Sequence, residues 1–206
     1  QPGGALAEGL PSIPSMPLNC YVRGVVAKAE PGTEVLAQYV TTFFPRHWDG
    51  EHHHLYLAPD KVTERPVITQ RGKVAYVSHP FYTAYNHSAP EPLKQLVAKL
   101  LARLNPEPLL RTRNLPSFGR TAVTVQPNRR MVWLMNYVPE RRGQAVDMIE
   151  ETFETRDVEL DLRLDGFKAK RAVSVPGGEP LSLSVEGNYA RVKVPVVKGW
   201  AVVALE

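Results

Sequence analysis

The sequence predicts a mixed α/β region followed by an all-β region folded as a small antiparallel β-sandwich. Three observations carry this expectation. First, Lys73-Val-Ala-Tyr-Val-Ser78 is the short apolar run of a buried strand, and Leu93, Leu96, Val97, Leu100, Leu101 and Leu104 then recur at the spacing of one helix face. Second, beyond Pro108 short alternating segments follow one another about every ten residues, separated by turn chemistry. Third, the 206 residues include 19 prolines, nearly double the usual share of about 5%, which favours short strands and turns over long helices.

Taken in order, Gln1-Pro-Gly-Gly-Ala has neither an initiator methionine nor the basic and apolar regions of a signal peptide, so the chain is expected to be a piece of something longer. Residues 1–19 read as an extended linker, with Pro11, Pro14 and Pro17 among small side chains. Residues 20–106 form the first domain. From Cys20 to Phe44 two strands joined at Glu30-Pro-Gly-Thr33 fit best, although Thr33 to Val40 could also cap and form a short helix. The stretch from Pro45 to Pro66 has no clear period, and a connection that long is usually functional or packed under something. The β-to-α unit follows, with Ser88 and Glu91 as a capping box, Pro90 and Pro92 near the first turn, and Asn105-Pro106 as the stop.

Residues 107–206 form the second domain. Its expected strands run over 121–126, 131–138, 158–164, 171–175, 181–185, 189–194 and 199–205, parted by Pro127-Asn128, Asp165-Gly166, Pro176-Gly-Gly178, Glu186-Gly-Asn188 and Lys198-Gly199. Val158, Leu160, Leu162 and Leu164 alternate with Glu159, Asp161, Arg163 and Asp165, the pattern of a strand with one dry and one wet face. The acidic run from Glu150 to Asp165 is then a solvated face rather than a metal site.

Composition narrows the function classes. A net charge of +4, divided as +1 before and +3 after Glu107, leaves no basic arm for nucleic acid. Hydrophobic residues at 43% and charged residues at 22% are ordinary globular values, too apolar for a disordered chain and too interrupted for a membrane span. Cys20 is the single cysteine, which excludes an internal disulfide framework and a CxxC site. Neither GxxxxGK nor GxGxxG occurs, so no phosphate loop is present.

Metal-competent groups concentrate in His47-Trp48-Asp-Gly-Glu-His52-His53-His54. His47, Trp48, His52 and His54 are therefore candidate ligand or interface residues, but the spacing matches neither HExxH nor structural zinc, and a polar loop held by packing fits it better. No metal or other cofactor is expected. Ser78-His79 ends a strand but lacks the GxSxG of a nucleophile elbow. Cys20, at the start of an apolar segment, is expected to be buried rather than nucleophilic. Glu140, Arg141 and Arg142 follow Pro139 in an exposed corner, where they could bind an anionic or hydroxyl-rich ligand or form a salt-bridged corner at an interface, the preferred reading.

Four stretches make the chain recognisable: Gly72-Lys-Val-Ala-Tyr-Val-Ser-His-Pro-Phe-Tyr-Thr-Ala-Tyr85; Leu104-Asn-Pro-Glu-Pro-Leu-Leu-Arg111 with Leu115-Pro116; Leu134-Met-Asn-Tyr-Val-Pro-Glu-Arg-Arg-Gly143; and the closing run from Val194 to Glu206. From Tyr21 to Glu206 the chain resembles the C-terminal region of glycoside hydrolases of the family 42 β-galactosidase type: a trimerisation domain and the β-domain after it. The resemblance implies that residues 20–106 are the last part of a flavodoxin-like (class I amidotransferase-like) trimerisation domain and that residues 107–206 are its β-sandwich. It implies a cytoplasmic enzyme, a trimeric homo-oligomer, and a carbohydrate substrate handled by a catalytic barrel outside this chain, with no catalytic carboxylate here. It also implies missing strands, supplied by another segment of the polypeptide, that would cover the first sheet.

Two further functions compete with this assembly role. Carbohydrate binding by the sandwich would need exposed aromatic rings, whereas Trp133 and Trp200 sit among equally apolar neighbours and are expected in the core. Amidotransferase or metal-hydrolase chemistry from the His47 to His54 run would need a placed nucleophile.

Overall fold

Gly72 decides the topology of the first half. Its φ of +59° lies in the left-handed region, open to glycine without steric cost, and there the chain reverses from β2 (Pro59–Arg71) directly into β3 (Val74–Val77). The two strands pair antiparallel, Arg71 opposite Val74 and Ile68 opposite Val77. On the other side of β2 lies β1 (Glu34–Thr42), also antiparallel, giving a three-stranded sheet ordered β1-β2-β3. The computed structural model describes residues 1–8, 10, 17–43 and 58–206, which fall into two units, Gln1–Pro106 and Glu107–Glu206.

The expected partial flavodoxin-like, class I amidotransferase-like α/β region is thus corrected. Every ladder among the described residues is antiparallel, because β2 and β3 are joined by a tight turn where a parallel pair would need a crossover of a dozen or more residues. The strand expected from Cys20 onward makes no ladder, and residues 23–30 have no regular secondary structure, with Val25 N–H donating to the Ser78 carbonyl at 2.8 Å. Pro66 is tolerated inside β2 because the β1 register shifts around its partner Gln38 and the β3 ladder stops at Ile68.

Two helices cover this sheet. α1 (Phe81–Ser88) ends where Ala89 adopts a left-handed φ of 45°, and α2 (Glu91–Leu104) follows. The leucine spacing is realised in α2, whose Leu93, Leu96 and Leu100 are buried with Leu36, Ala37, Ile68, Phe81 and Ala84. The capping box does not form, since Ser88 belongs to α1 and the residue before α2 is Pro90, without a side-chain cap. Glu91 instead accepts from Gln95 at 3.2 Å and pairs with Lys94 at 3.4 Å. Within the stretch expected to be a linker, Pro2 bridges Ala37, Gly4–Leu6 makes one 3-10 turn, and Leu6 and Leu10 join the same core. No described helix is long and apolar enough to cross a membrane.

The second unit opens with β4 (Leu110–Arg113), β5 (Arg120–Gln126) and β6 (Arg129–Met135). A two-stranded hairpin, β7 (Glu140–Arg141) and β8 (Asp147–Met148), comes next. The remaining strands are β9 (Glu154–Arg163), β10 (Ala172–Val175), β11 (Pro180–Glu186), β12 (Tyr189–Lys198) and β13 (Trp200–Leu205). Eight of them form one antiparallel sheet ordered β4-β9-β12-β11-β10-β13-β6-β5, and β12 meets β13 again at Lys198 and Trp200. The sheet bends back on itself as a nearly closed barrel, with β4 and β5 as its free edges.

The expected sandwich of two packed sheets is corrected accordingly. Alternation specifies one dry face per strand; it does not say whether that face meets a second sheet or curls onto itself. The ten-residue β9 and β12 pair along nearly their whole length, while β11 meets only the first half of β12, and this stagger lets the sheet roll. The interior is filled by Val132, Leu134, Val158, Leu160, Leu162, Val192, Val197, Val203 and Leu205, each at most 1% exposed. Burying side chains of this size stabilises by roughly 1.5–3 kcal/mol each.

Candidate functional site

His47, Trp48, His52 and His54 lie outside the described residues. Among the described residues no group of three or more His, Cys, Asp or Glu is placed to hold a metal ion.

Glu140, Arg141 and Arg142 form the exposed hairpin β7-β8, where they are occupied with one another and with their neighbours. Arg141 Nε pairs with Asp147 at 2.7 Å, Arg142 pairs with Glu140 at 2.9 Å and also reaches Glu150. The groups that could grip an anion are thus charge-compensated within the hairpin.

Just before the hairpin, Asn136 is fully buried, and its side-chain amide donates to Thr155 Oγ1 at 2.8 Å, the Val197 carbonyl at 3.0 Å and the Phe153 carbonyl at 3.4 Å. It ties the end of β6 to β9 and β12, strands that do not neighbour β6 in the sheet. Tyr137 lies against Gly199, where an added Cβ would stand 2.7 Å from the ring. The Asn136-Tyr137 pair therefore holds the end of the barrel in shape.

On the outer face of β6 and β13 the structure overturns another expectation. Trp133 is 43% exposed and Trp200 is 50% exposed, so neither belongs to the core. Trp133 stands opposite Val202 and Trp200 opposite Met135, which makes the two rings diagonal neighbours on one face of the antiparallel pair. On the same face Met131, Val202 and Ala204 pack with Val173 and Val175. Both faces of β6 and β13 are apolar, and alternation of character, the usual signal for which face is outside, is missing there.

The charged outer face of β9 is ordered around Asp161. This carboxylate is buried under Arg113, at 2.7 Å, and Arg191, at 2.8 Å, which also reach Glu159 at 2.7 Å and Glu186 at 3.0 Å. Arg113 above all, then Arg191, holds Asp161 at about 2, against the opposing effect of burial. A carboxylate locked ionised between two guanidiniums is a structural tie, unsuited to carrying a proton in a reaction.

In the first unit, Ser78 Oγ and His79 Nδ1 are 2.9 Å apart. Ser78 is buried, its N–H donating to the Val67 carbonyl and its own carbonyl accepting from Val25, so its hydroxyl orients the ring and is closed to a substrate. The ring stacks on Tyr39 with centroids 6.0 Å apart and 18° between planes. Burial, and then the chain's amino-terminal charge, push the imidazole below its ordinary pKa. Cys20 is half-buried, its thiol 3.9 Å from the Val22 carbonyl.

No family model matches the sequence, and no curated protein matches it. Among solved structures, the α-L-fucosidase isoenzyme 2 from Paenibacillus thiaminolyticus is similar with a TM-score of 0.73 and 25% identity. The match covers 84% of this chain and 27% of that one, so the chain spans about a quarter of the length of that enzyme. A cycloisomaltooligosaccharide glucanotransferase from Paenibacillus sp. overlaps at a TM-score of 0.38 and 10% identity, over 47% of this chain and 16% of that one. At that overlap the second likeness bears on nothing further. The chain resembles part of a glycoside hydrolase.

Proposed function

We propose that this chain is a non-catalytic assembly region of a glycoside hydrolase acting in carbohydrate metabolism, of the β-galactosidase trimerisation type, in which it supports oligomerisation and domain packing. The likeness of 84% of the chain to a quarter of an α-L-fucosidase carries this reading. The side chains seen in detail support it: Asp161, Arg113, Arg191, Asn136 and the β7-β8 arginines all serve to tie strands together. The exposed apolar side chains of the first sheet, Val74 at 70% and Tyr76 at 50%, with Val25 and Val26 beside it, suit a surface covered by further protein. Assayed with nitrophenyl α-L-fucoside and β-galactoside, the chain is expected to release no nitrophenol. Turnover that survives repurification would contradict the non-catalytic role.

A second reading, carbohydrate binding by the second unit, is favoured by the exposed Trp133 and Trp200, since aromatic faces on a rigid sheet suit stacking on sugar rings. A glycan array probed with the chain and with its W133A/W200A variant tests it. Signal lost in the variant supports sugar binding, and no signal from either protein excludes it.

A further inference from the structure

A cavity of about 510 Å³ opens in the first unit, within the size range of small-molecule sites. Its walls come from residues 20–27, which precede β1, and from Tyr39 of β1, Arg65 and Pro66 of β2, and His79. Two features distinguish it from a gap in packing.

The first is charge. Arg23 and Arg65 both line the cavity, and no Asp or Glu lines it. Neither guanidinium has an ion-pair partner among the described residues, in contrast to Arg113, Arg141, Arg142, Arg163 and Arg191 elsewhere in the chain. A carboxylate or phosphate in the cavity would match the fork of donors that a guanidinium presents. The second feature is a fixed ring. His79 is held by stacking on Tyr39 and by Ser78 Oγ at Nδ1, and it lies so close to the backbone of Gly24 that a Cβ there would meet ring atoms at 2.6 Å. The Ser78 hydroxyl occupies Nδ1, which leaves Nε2 as the ring nitrogen open to a ligand, a donor in the protonated ring and in one of its two neutral tautomers.

We propose that this cavity binds a small oxyanion-bearing ligand of monosaccharide size, its carboxylate or phosphate group gripped by Arg23 and Arg65 beside the clamped His79 ring. The inference stands apart from the assembly role, since it rests on the cavity alone and holds whether or not the chain oligomerises.

Isothermal titration of the 206-residue chain with glucuronate, glucose 6-phosphate and uncharged glucose tests it. At least one of the two acids is expected to bind one to one, and the tighter of them identifies the group as carboxylate or phosphate. R23Q and R65Q are each expected to weaken that binding about tenfold, as loss of a charge-assisted contact does, while R129Q, a change on the surface of the second unit, leaves it unchanged. Both arginines of the cavity are exposed, so the substitutions do not threaten folding. Failure of both acids to bind, equal binding of glucose, or equal losses in R23Q, R65Q and R129Q would each overturn the proposal.

Discussion

The Asn136 side-chain amide donates to the Val197 carbonyl at 3.0 Å, joining the end of β6 to β12, a strand four places away in the sheet order. This contact and the bond to Thr155 lie beside the point where Lys198 and Trp200 pair β12 with β13, and where Asn136 N–H donates to the Gly199 carbonyl at 2.9 Å. The Asn136 Oδ1 atom is left without a hydrogen-bond partner. N136A removes a buried donor that serves Thr155 Oγ1 and the Val197 and Phe153 carbonyls, so it is expected to cost about 1–3 kcal/mol. Urea unfolding followed by circular dichroism measures it, and a cost below about 0.5 kcal/mol would mean that the tie is dispensable.

Asp161 predicts an acid limb. Its carboxyl is held at about 2 against an ordinary value of 3.8, so the folded state binds its proton less readily than the unfolded one. The stabilisation is complete above pH 4 and is lost as pH falls towards 2. Because the arginines over it are partly exposed, solvent screening limits the contribution to about 1–2 kcal/mol. D161N is expected to flatten the stability profile between pH 4 and 2, measured by urea midpoints at several pH values. An unchanged profile would assign the acid limb to other carboxylates.

Two glycine substitutions separate backbone strain from crowding. Gly187 and Gly199 both have left-handed φ, +58° and +70°, but a Cβ at Gly187 meets open space while one at Gly199 would strike the Tyr137 ring at 2.7 Å. G187A is expected to cost about 1 kcal/mol for backbone conformation alone. G199A should cost more, since the ring must move as well, and equal thermal shifts in the two variants would show that Tyr137 yields freely.

The outer and inner faces of β6 make opposite predictions. L134A empties a fully buried site and is expected to cost about 2–5 kcal/mol. W133A, two-fifths exposed, is expected to cost far less, even though tryptophan is the larger side chain. Chemical denaturation of both variants decides it, and a larger loss for W133A would return that ring to the core.

These contrasts show which parts of the structure were legible. Helix α2 could be read because Leu93, Leu96 and Leu100 mark one face against Lys94, Gln95 and Lys99, and β9 because Leu160 and Leu162 alternate with charged residues. β2 escaped because Asp60, Lys61, Glu64 and Arg65 crowd its first half, where burial is slight and no apolar period exists. In the sequence the hairpin at Gly72 reads as the start of a β-to-α unit, since a short apolar strand looks the same whether its neighbour is parallel or antiparallel. Trp133 and Trp200 read as core residues because β6 and β13 are apolar on both faces, so the sequence carries no contrast between wet and dry. The candidate cavity had no local signature at all: Arg23, Arg65 and His79 are far apart in the chain and meet only through the fold.

The mass of the chain in solution tests the assembly role most directly. Multi-angle light scattering after size-exclusion chromatography is expected to give three times the 23.0 kDa chain mass, dissociating on dilution as a self-association should. A mass of one chain at every concentration, up to the highest that stays soluble, would contradict the account.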